Sequence, residues 1–108
     1  MCGIAGFSIK QNLQEKNQIL KKMNDYLSHR GPDGEGFFHD ENVSFSHKRL
    51  AIIDLNSRSN QPFIDSDKNY VLTFNGEIYN YLELKEILIR DGFKFNTDIS
   101  FNFSIIKK

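Results

Sequence analysis

An α+β fold with antiparallel sheets is what this chain of 108 residues predicts. Two observations carry the prediction. Strand-like and helix-like patterns follow one another as strand, helix, several strands, helix, which is the order of helices packed on antiparallel strands. The strand patterns are short and separated by polar turn residues, as in hairpins. The length suits one domain and no more. Hydrophobic residues make up 39% of the chain, and ten Phe with four Tyr can fill a modest core.

The elements follow in order. Cys2 to Ile9 is apolar with β-branched content and predicts a strand. Asn12 and Glu15 have the spacing of a capping box, and Ile19, Leu20, Met23, Tyr26 and Leu27 recur behind them at helical spacing. That stripe predicts an apolar core face. The helix ends near His29, because Gly31-Pro32 breaks the pattern. Gly31 to Gly36, with three glycines, a proline and two acids, predicts a loop. Phe37-Phe38 then opens a strand, Asp40-Glu41-Asn42 is turn chemistry, and Val43, Phe45 and His47 alternate with serines in a returning strand. Leu50 to Leu55 predicts another strand, and Asn56 to Pro62 a loop. Phe63-Ile64 and Tyr70 to Phe74 flank the polar turn Asp65 to Asn69 as a hairpin. Asn80 caps a second helix with Leu84, Ile87 and Leu88 on its apolar face, and Gly92 stops it.

Composition excludes several functions. Fourteen basic and fourteen acidic residues cancel, so nothing favours nucleic acid or an anionic membrane as partner. The single cysteine allows no internal disulfide. The opening MCGIAGFSIK lacks the basic and long apolar regions of a signal peptide, and no stretch approaches the ~20 apolar residues of a membrane span. A cytoplasmic location is the expectation.

Cys2 is the first informative residue. With Met1 removed, its thiol would sit beside a free α-amine, a group that titrates at ~7.7–8.0 and can act as a base near neutral pH. The base then shares a residue with the nucleophile. Taken alone, an ordinary cysteine in second place is the simpler reading. Four further segments change the balance: His29-Arg30-Gly31-Pro32-Asp33-Gly34-Glu35-Gly36, Ser46-His47-Lys48-Arg49-Leu50-Ala51-Ile52-Ile53-Asp54, Gln61-Pro62, and Phe74-Asn75-Gly76-Glu77-Ile78-Tyr79-Asn80-Tyr81. With Cys2-Gly3-Ile4-Ala5-Gly6-Phe7, and in this order, they resemble the class II (N-terminal-nucleophile) glutamine amidotransferase domain of asparagine synthetases. The likeness runs from Met1 to about Phe95.

The resemblance implies a set of roles. Cys2 would be the nucleophile, and Asn75 with the Gly76 amide would hold the oxyanion. Without the surrounding phrase, Asn75-Gly76 reads equally as a hairpin turn. Arg49 matches the position that grips the glutamine carboxylate, a task suited to a guanidinium fork. Leu50, Ala51, Ile52 and Ile53 would line the pocket through their main chain, and Glu77 would face the polar end of glutamine or serve as a helix N-terminal acid. Asp98 matches either the family's amine-binding aspartate in a shortened loop or a coincidence, since Ile99-Ser100 stands where Thr-Glu is expected. Gly31 to Gly36 would wall the pocket, with Arg30 structural or gating. His29, His39 and His47 lack metal-ligand spacing and read as ordinary strand and loop histidines. No metal or cofactor is expected in this chain.

The likeness also implies what surrounds the chain. The family fold is an Ntn-hydrolase-type α/β/β/α sandwich, longer than this sequence and followed by a synthetase domain that uses ATP and Mg2+ to activate aspartate; a homodimer is compatible with the full-length enzyme. Residues 1–98 are therefore expected to form a partial amidotransferase domain, incomplete at its C-terminus. Residues 99–108 form a divergent tail such as a shifted frame or truncated gene leaves. Poor solubility and little turnover are expected of such a fragment alone. Two other functions fit the same residues: a non-catalytic remnant or binding module that keeps the fold, and an amidotransferase serving another acceptor, such as a polysaccharide sugar.

Overall fold

The computed structural model describes residues 1–51 and 60–95. It is α+β with antiparallel sheets. Strand β1 (Gly3–Phe7), helix α1 (Leu13–Tyr26), β2 (Gly34–His39), β3 (Ser44–Arg49), β4 (Phe63–Ile64), β5 (Val71–Leu72) and helix α2 (Tyr81–Arg90) follow in that order. The main sheet has the order β1-β3-β2, antiparallel throughout, and β4-β5 forms a separate hairpin.

Helix α1 starts where the capping pattern placed it, with Asn12 Oδ1 accepting from Glu15 N at 2.9 Å. Its buried face differs from the apolar stripe. Leu20 is buried, but so are Lys16 and Asn24, one turn to either side, while Ile19 is partly exposed and Tyr26 fully so. The cause is the surface opposite. Residues directly paired across a sheet share a face, so Gly3, Ala5, Phe7, Glu35, Phe37, His39, Ser44, Ser46 and Lys48 lie on the side that α1 covers. That side is largely small or polar. Asn24 Nδ2 donates to Glu35 Oε2 at 3.0 Å, and Lys48 pairs with the same oxygen at 2.7 Å. Lys16 Nζ donates to the Asp40 and Glu41 carbonyls, both at 2.8 Å, tying α1 to the β2–β3 turn.

The expected loop from Gly31 to Gly36 is shorter than predicted, because Gly34, Glu35 and Gly36 already belong to β2. Glycine reads as a loop former, yet here it admits close neighbours: a Cβ on Gly36 would collide with the Gln61 carbonyl oxygen, and one on Gly34 with the Asn60 side chain. At the other end, β3 stops at Arg49, so Leu50 and Ala51 are not the start of a strand; the rest of that predicted strand lies outside the described residues.

The second hairpin is closed by Asp65, which is buried and accepts from Tyr70 N at 2.9 Å. Helix α2 has Asn80 at its N-cap, but the side chain makes no capping hydrogen bond. Its C-terminus is as expected. Gly92 has φ +93° and donates to Ile89 O, and Phe93 donates to Leu88 O, the paired bonds of a Schellman stop. Leu88 is the residue of α2 that is buried; Ile87 stays partly exposed. No described helix is long and apolar enough to cross a membrane.

Candidate active site

The site is assembled on the face of the main sheet opposite α1. By the strand register that face carries Ile4, Gly6, Gly34, Gly36, Phe38, Phe45, His47 and Arg49. One step beyond the Gly3–Lys48 pair, Cys2 falls opposite Arg49. Its half-buried sulfur accepts from Leu50 N at 3.3 Å and lies 3.9 Å from Leu50 O. The shorter contact is the one to the N–H, the group that stabilises a thiolate.

Arg49 is buried on β3, with Nη1 donating to Asn60 Oδ1 at 3.1 Å. The Gly31 loop closes over the same strand end. Asp33 N donates to Arg49 O at 2.9 Å, and Asp33 Oδ2 accepts from Ala51 N at 2.8 Å. Gly31 is required there: a Cβ would overlap the main chain of Lys48 and Arg49. Asp33 thus holds residues 49–51, where Arg49, Leu50 and Ala51 were predicted to meet glutamine.

Asn75, Gly76 and Glu77 lie exposed in the turn between β5 and α2. They are tied to the sheet through the preceding residue. The Phe74 carbonyl accepts from His47 Nε2 at 3.2 Å and from Gln61 Nε2 at 3.1 Å, while Phe74 N donates to Gln61 Oε1 at 2.6 Å. A carbonyl only accepts, so His47 carries its proton on Nε2. Burial lowers its pKa from the usual histidine value, the neighbouring Arg49 charge lowers it further, and the bond to Phe74 opposes both.

The structure thus joins Cys2, Leu50 and Arg49 at the end of β3, and ties the Asn75-Gly76 turn to His47 on the same strand. Glu77 makes no described contact with this group. Ile52, Ile53 and Asp98 lie outside the described residues. Gln61 and His47 are the members that sequence reasoning missed. Gln61-Pro62 stood out only as a phrase, and His47 only as a strand histidine; its alternation with Phe45 and Arg49 was the signal that it faces the site. Among the described residues, no group of three or more His, Cys, Asp or Glu side chains could hold a metal.

Residues 1–100 match the model of the glutamine amidotransferase domain family. Asparagine synthetase [glutamine-hydrolyzing] 1 of Bacillus subtilis is 46% identical over 101 residues, which cover 91% of this chain and 16% of that protein. A second B. subtilis asparagine synthetase is 43% identical, over 91% of this chain and 13% of its own length. A probable asparagine synthetase of Dictyostelium discoideum is 38% identical, over 91% of this chain and 18% of its own length. The chain therefore spans about a sixth of the length of these curated relatives.

Proposed function

The chain belongs to the glutamine amidotransferase domain family, and from that membership we propose that it is the glutaminase part of a longer enzyme that releases ammonia from glutamine, with Cys2 as nucleophile. What supports the reading is one arrangement: the Cys2 sulfur on the Leu50 amide, at the end of the strand that carries Arg49 and, through Phe74, the Asn75-Gly76 turn. The thiolate attacks the carboxamide carbon of glutamine. The carbonyl oxygen becomes an oxyanion, held by Asn75 Nδ2–H and Gly76 N–H, donors of a kind whose single loss costs ~10²–10³ in rate. With Met1 removed, the α-amine takes the thiol proton and returns it to the departing nitrogen. Ammonia leaves, and water then hydrolyses the thioester to glutamate.

Arg49 binds the substrate carboxylate, and Leu50 to Ile53 line the pocket. Asp98, where it takes the family aspartate's place, binds the substrate amine. The sheet face that carries the site is where the second sheet of an α/β/β/α sandwich packs. In the whole protein the ammonia goes to aspartate activated by ATP and Mg2+ on a synthetase domain, in keeping with the names of the relatives.

Two measurements test the reading. Mass spectrometry of the N-terminus should find Met1 removed. A diazoketone analogue of glutamine should alkylate Cys2, with loss of dinitrogen, and excess glutamine should protect it. A retained Met1, or an adduct that glutamine does not suppress, defeats the assignment.

A further inference from the structure

Neither Gln61 nor His47 is expected to touch glutamine, yet both are buried and both bond the main chain of one residue, Phe74. Gln61 is 7% exposed and His47 1%. The Gln61 carboxamide pairs with Phe74 as a neighbouring strand would: its oxygen accepts from Phe74 N at 2.6 Å and its nitrogen donates to Phe74 O at 3.1 Å. His47 adds a second donor to that carbonyl at 3.2 Å. Two donors converging on one carbonyl oxygen fix the plane of the Phe74–Asn75 peptide. That plane sets the Asn75 Cα, from which the Asn75 side chain and the Gly76 amide both extend.

The anchors are themselves held. His47 lies in the central strand, paired with β1 at Ile4 and with β2 at Gly36. The Gln61 carbonyl sits so close over Gly36 that no Cβ fits between them. Phe74 is thereby referenced to β3, the strand whose end also holds the Cys2 sulfur.

We propose that Gln61 and His47 are positioning residues that aim the Asn75-Gly76 donors at the oxyanion formed when the Cys2 sulfur attacks, by clamping the Phe74 main chain. The proposal rests on the amidotransferase reading above. It accounts for two buried polar side chains whose shared partner is the residue before the turn. Loosening the clamp leaves the donors present but misaimed. The loss should fall on the chemical step and not on glutamine affinity, which Arg49 supplies from a separate position.

The test uses the full chain and two reagents. The diazoketone analogue places its ketone oxygen where the glutamine carbonyl oxygen goes, so its maximal alkylation rate at Cys2 depends on the oxyanion donors. Iodoacetamide reports thiol accessibility and reactivity alone. Gln61→Glu keeps the side-chain shape and the acceptor for Phe74 N, but sets an oxygen against Phe74 O. It should lower the maximal diazoketone rate about tenfold, short of the ~10²–10³ that removal of a donor costs. Half-saturating concentration and iodoacetamide rate should stay unchanged. His47→Leu should act in the same direction, and His47→Gln, which restores an N–H donor, should recover most of the loss. An unchanged diazoketone rate in Gln61→Glu overturns the clamp while leaving the amidotransferase reading intact. Equal loss with both reagents also overturns it, because Gln61 would then merely hold the fold. Failure of the parent chain to label in a glutamine-protected way removes the amidotransferase reading, and the clamp with it.

Discussion

Replacing Gly31 by alanine probes the contact that closes the site against β3. Gly31 is buried, and an added Cβ would lie inside contact distance of the Lys48 carbonyl carbon and oxygen and of the Arg49 nitrogen. These are main-chain atoms of a strand paired on both sides, so they have little freedom to move. The loop must lift instead, and it takes Asp33 with it. Two bonds are then strained or lost, Asp33 N to Arg49 O and Ala51 N to Asp33 Oδ2. Overpacking of this kind costs ~1–3 kcal/mol, and each net hydrogen bond contributes ~1 kcal/mol. Asp33 is exposed, so water recovers part of that. A loss of roughly 2–4 kcal/mol is expected, or a fall in Tm of roughly 10–20 °C for a domain this size. Gly92 gives the contrast. A Cβ there meets nothing within 4 Å, but φ is +93°, so Gly92→Ala carries only the backbone penalty, about 1–2 kcal/mol. Asparagine tolerates positive φ and should recover part of the loss at Gly92. At Gly31 the cause is space, so asparagine should be worse than alanine. Thermal unfolding followed by circular dichroism measures all four variants. A Gly31→Ala melt within a few degrees of the parent, or a larger loss at Gly92 than at Gly31, would refute the steric argument.

Acid should weaken the fold through His47. Its pKa is lowered on folding, chiefly by burial, so stability is complete above the ordinary histidine value of 6.5 and declines as pH falls from there through the folded pKa. The slope is at most ~1.4 kcal/mol per pH unit for one proton, and His47→Gln should flatten the part of the pH–Tm curve that His47 contributes. Lys16→Met keeps the buried stem but removes both bonds to the Asp40 and Glu41 carbonyls. Those carbonyls belong to exposed residues that water can reach, so a loss of only about 1–2 kcal/mol is expected in denaturant unfolding. Lys68 has φ 57°, where a side chain is strained, so Lys68→Gly should stabilise the hairpin by up to ~1 kcal/mol, seen as a rise in Tm. Asn75→Ala should slow diazoketone alkylation of Cys2 by ~10²–10³ if its side chain is an oxyanion donor, with the iodoacetamide rate unchanged.

What could be read from the sequence was whatever is governed locally. The Asn12 cap, the turn residues around Asp65 and the stop at Gly92 act within a few residues of themselves, and each lies where its chemistry placed it. Legibility failed where a distant partner decides the outcome. The buried side of α1 is set by the polar sheet face and the β2–β3 turn beneath it, which call for Asn24 and Lys16 and leave Tyr26 in solvent. Gly34 and Gly36 looked like loop residues because nothing local reveals that Asn60 and Gln61 lie on them. The candidate site divides along the same line. Cys2, Arg49 and the Asn75-Gly76 turn were nominated as residues, through motifs. The bonds that tie them to one strand end run between segments far apart in the chain, and only the folded structure displays them.

On the proposed reading, the chemistry of those ties follows from what an oxyanion donor needs. An apolar contact stabilises burial but is non-directional, so it can hold a turn against a sheet while leaving its peptide planes free to rotate. An oxyanion donor contributes only when its N–H points at one spot in space, and hydrogen bonds weaken steeply once misaligned. Fixing that direction calls for partners that are directional themselves and rigidly mounted. The carboxamide of Gln61, planar and carrying both a donor and an acceptor, meets both polar groups of Phe74 at once. The imidazole of His47, mounted in the middle strand, adds a donor from a second direction. Burying two such side chains would be costly if their bonds to Phe74 went unmade. The same penalty that makes them poor core residues therefore holds the Phe74–Asn75 peptide in one orientation, which a leucine at either position would leave unset.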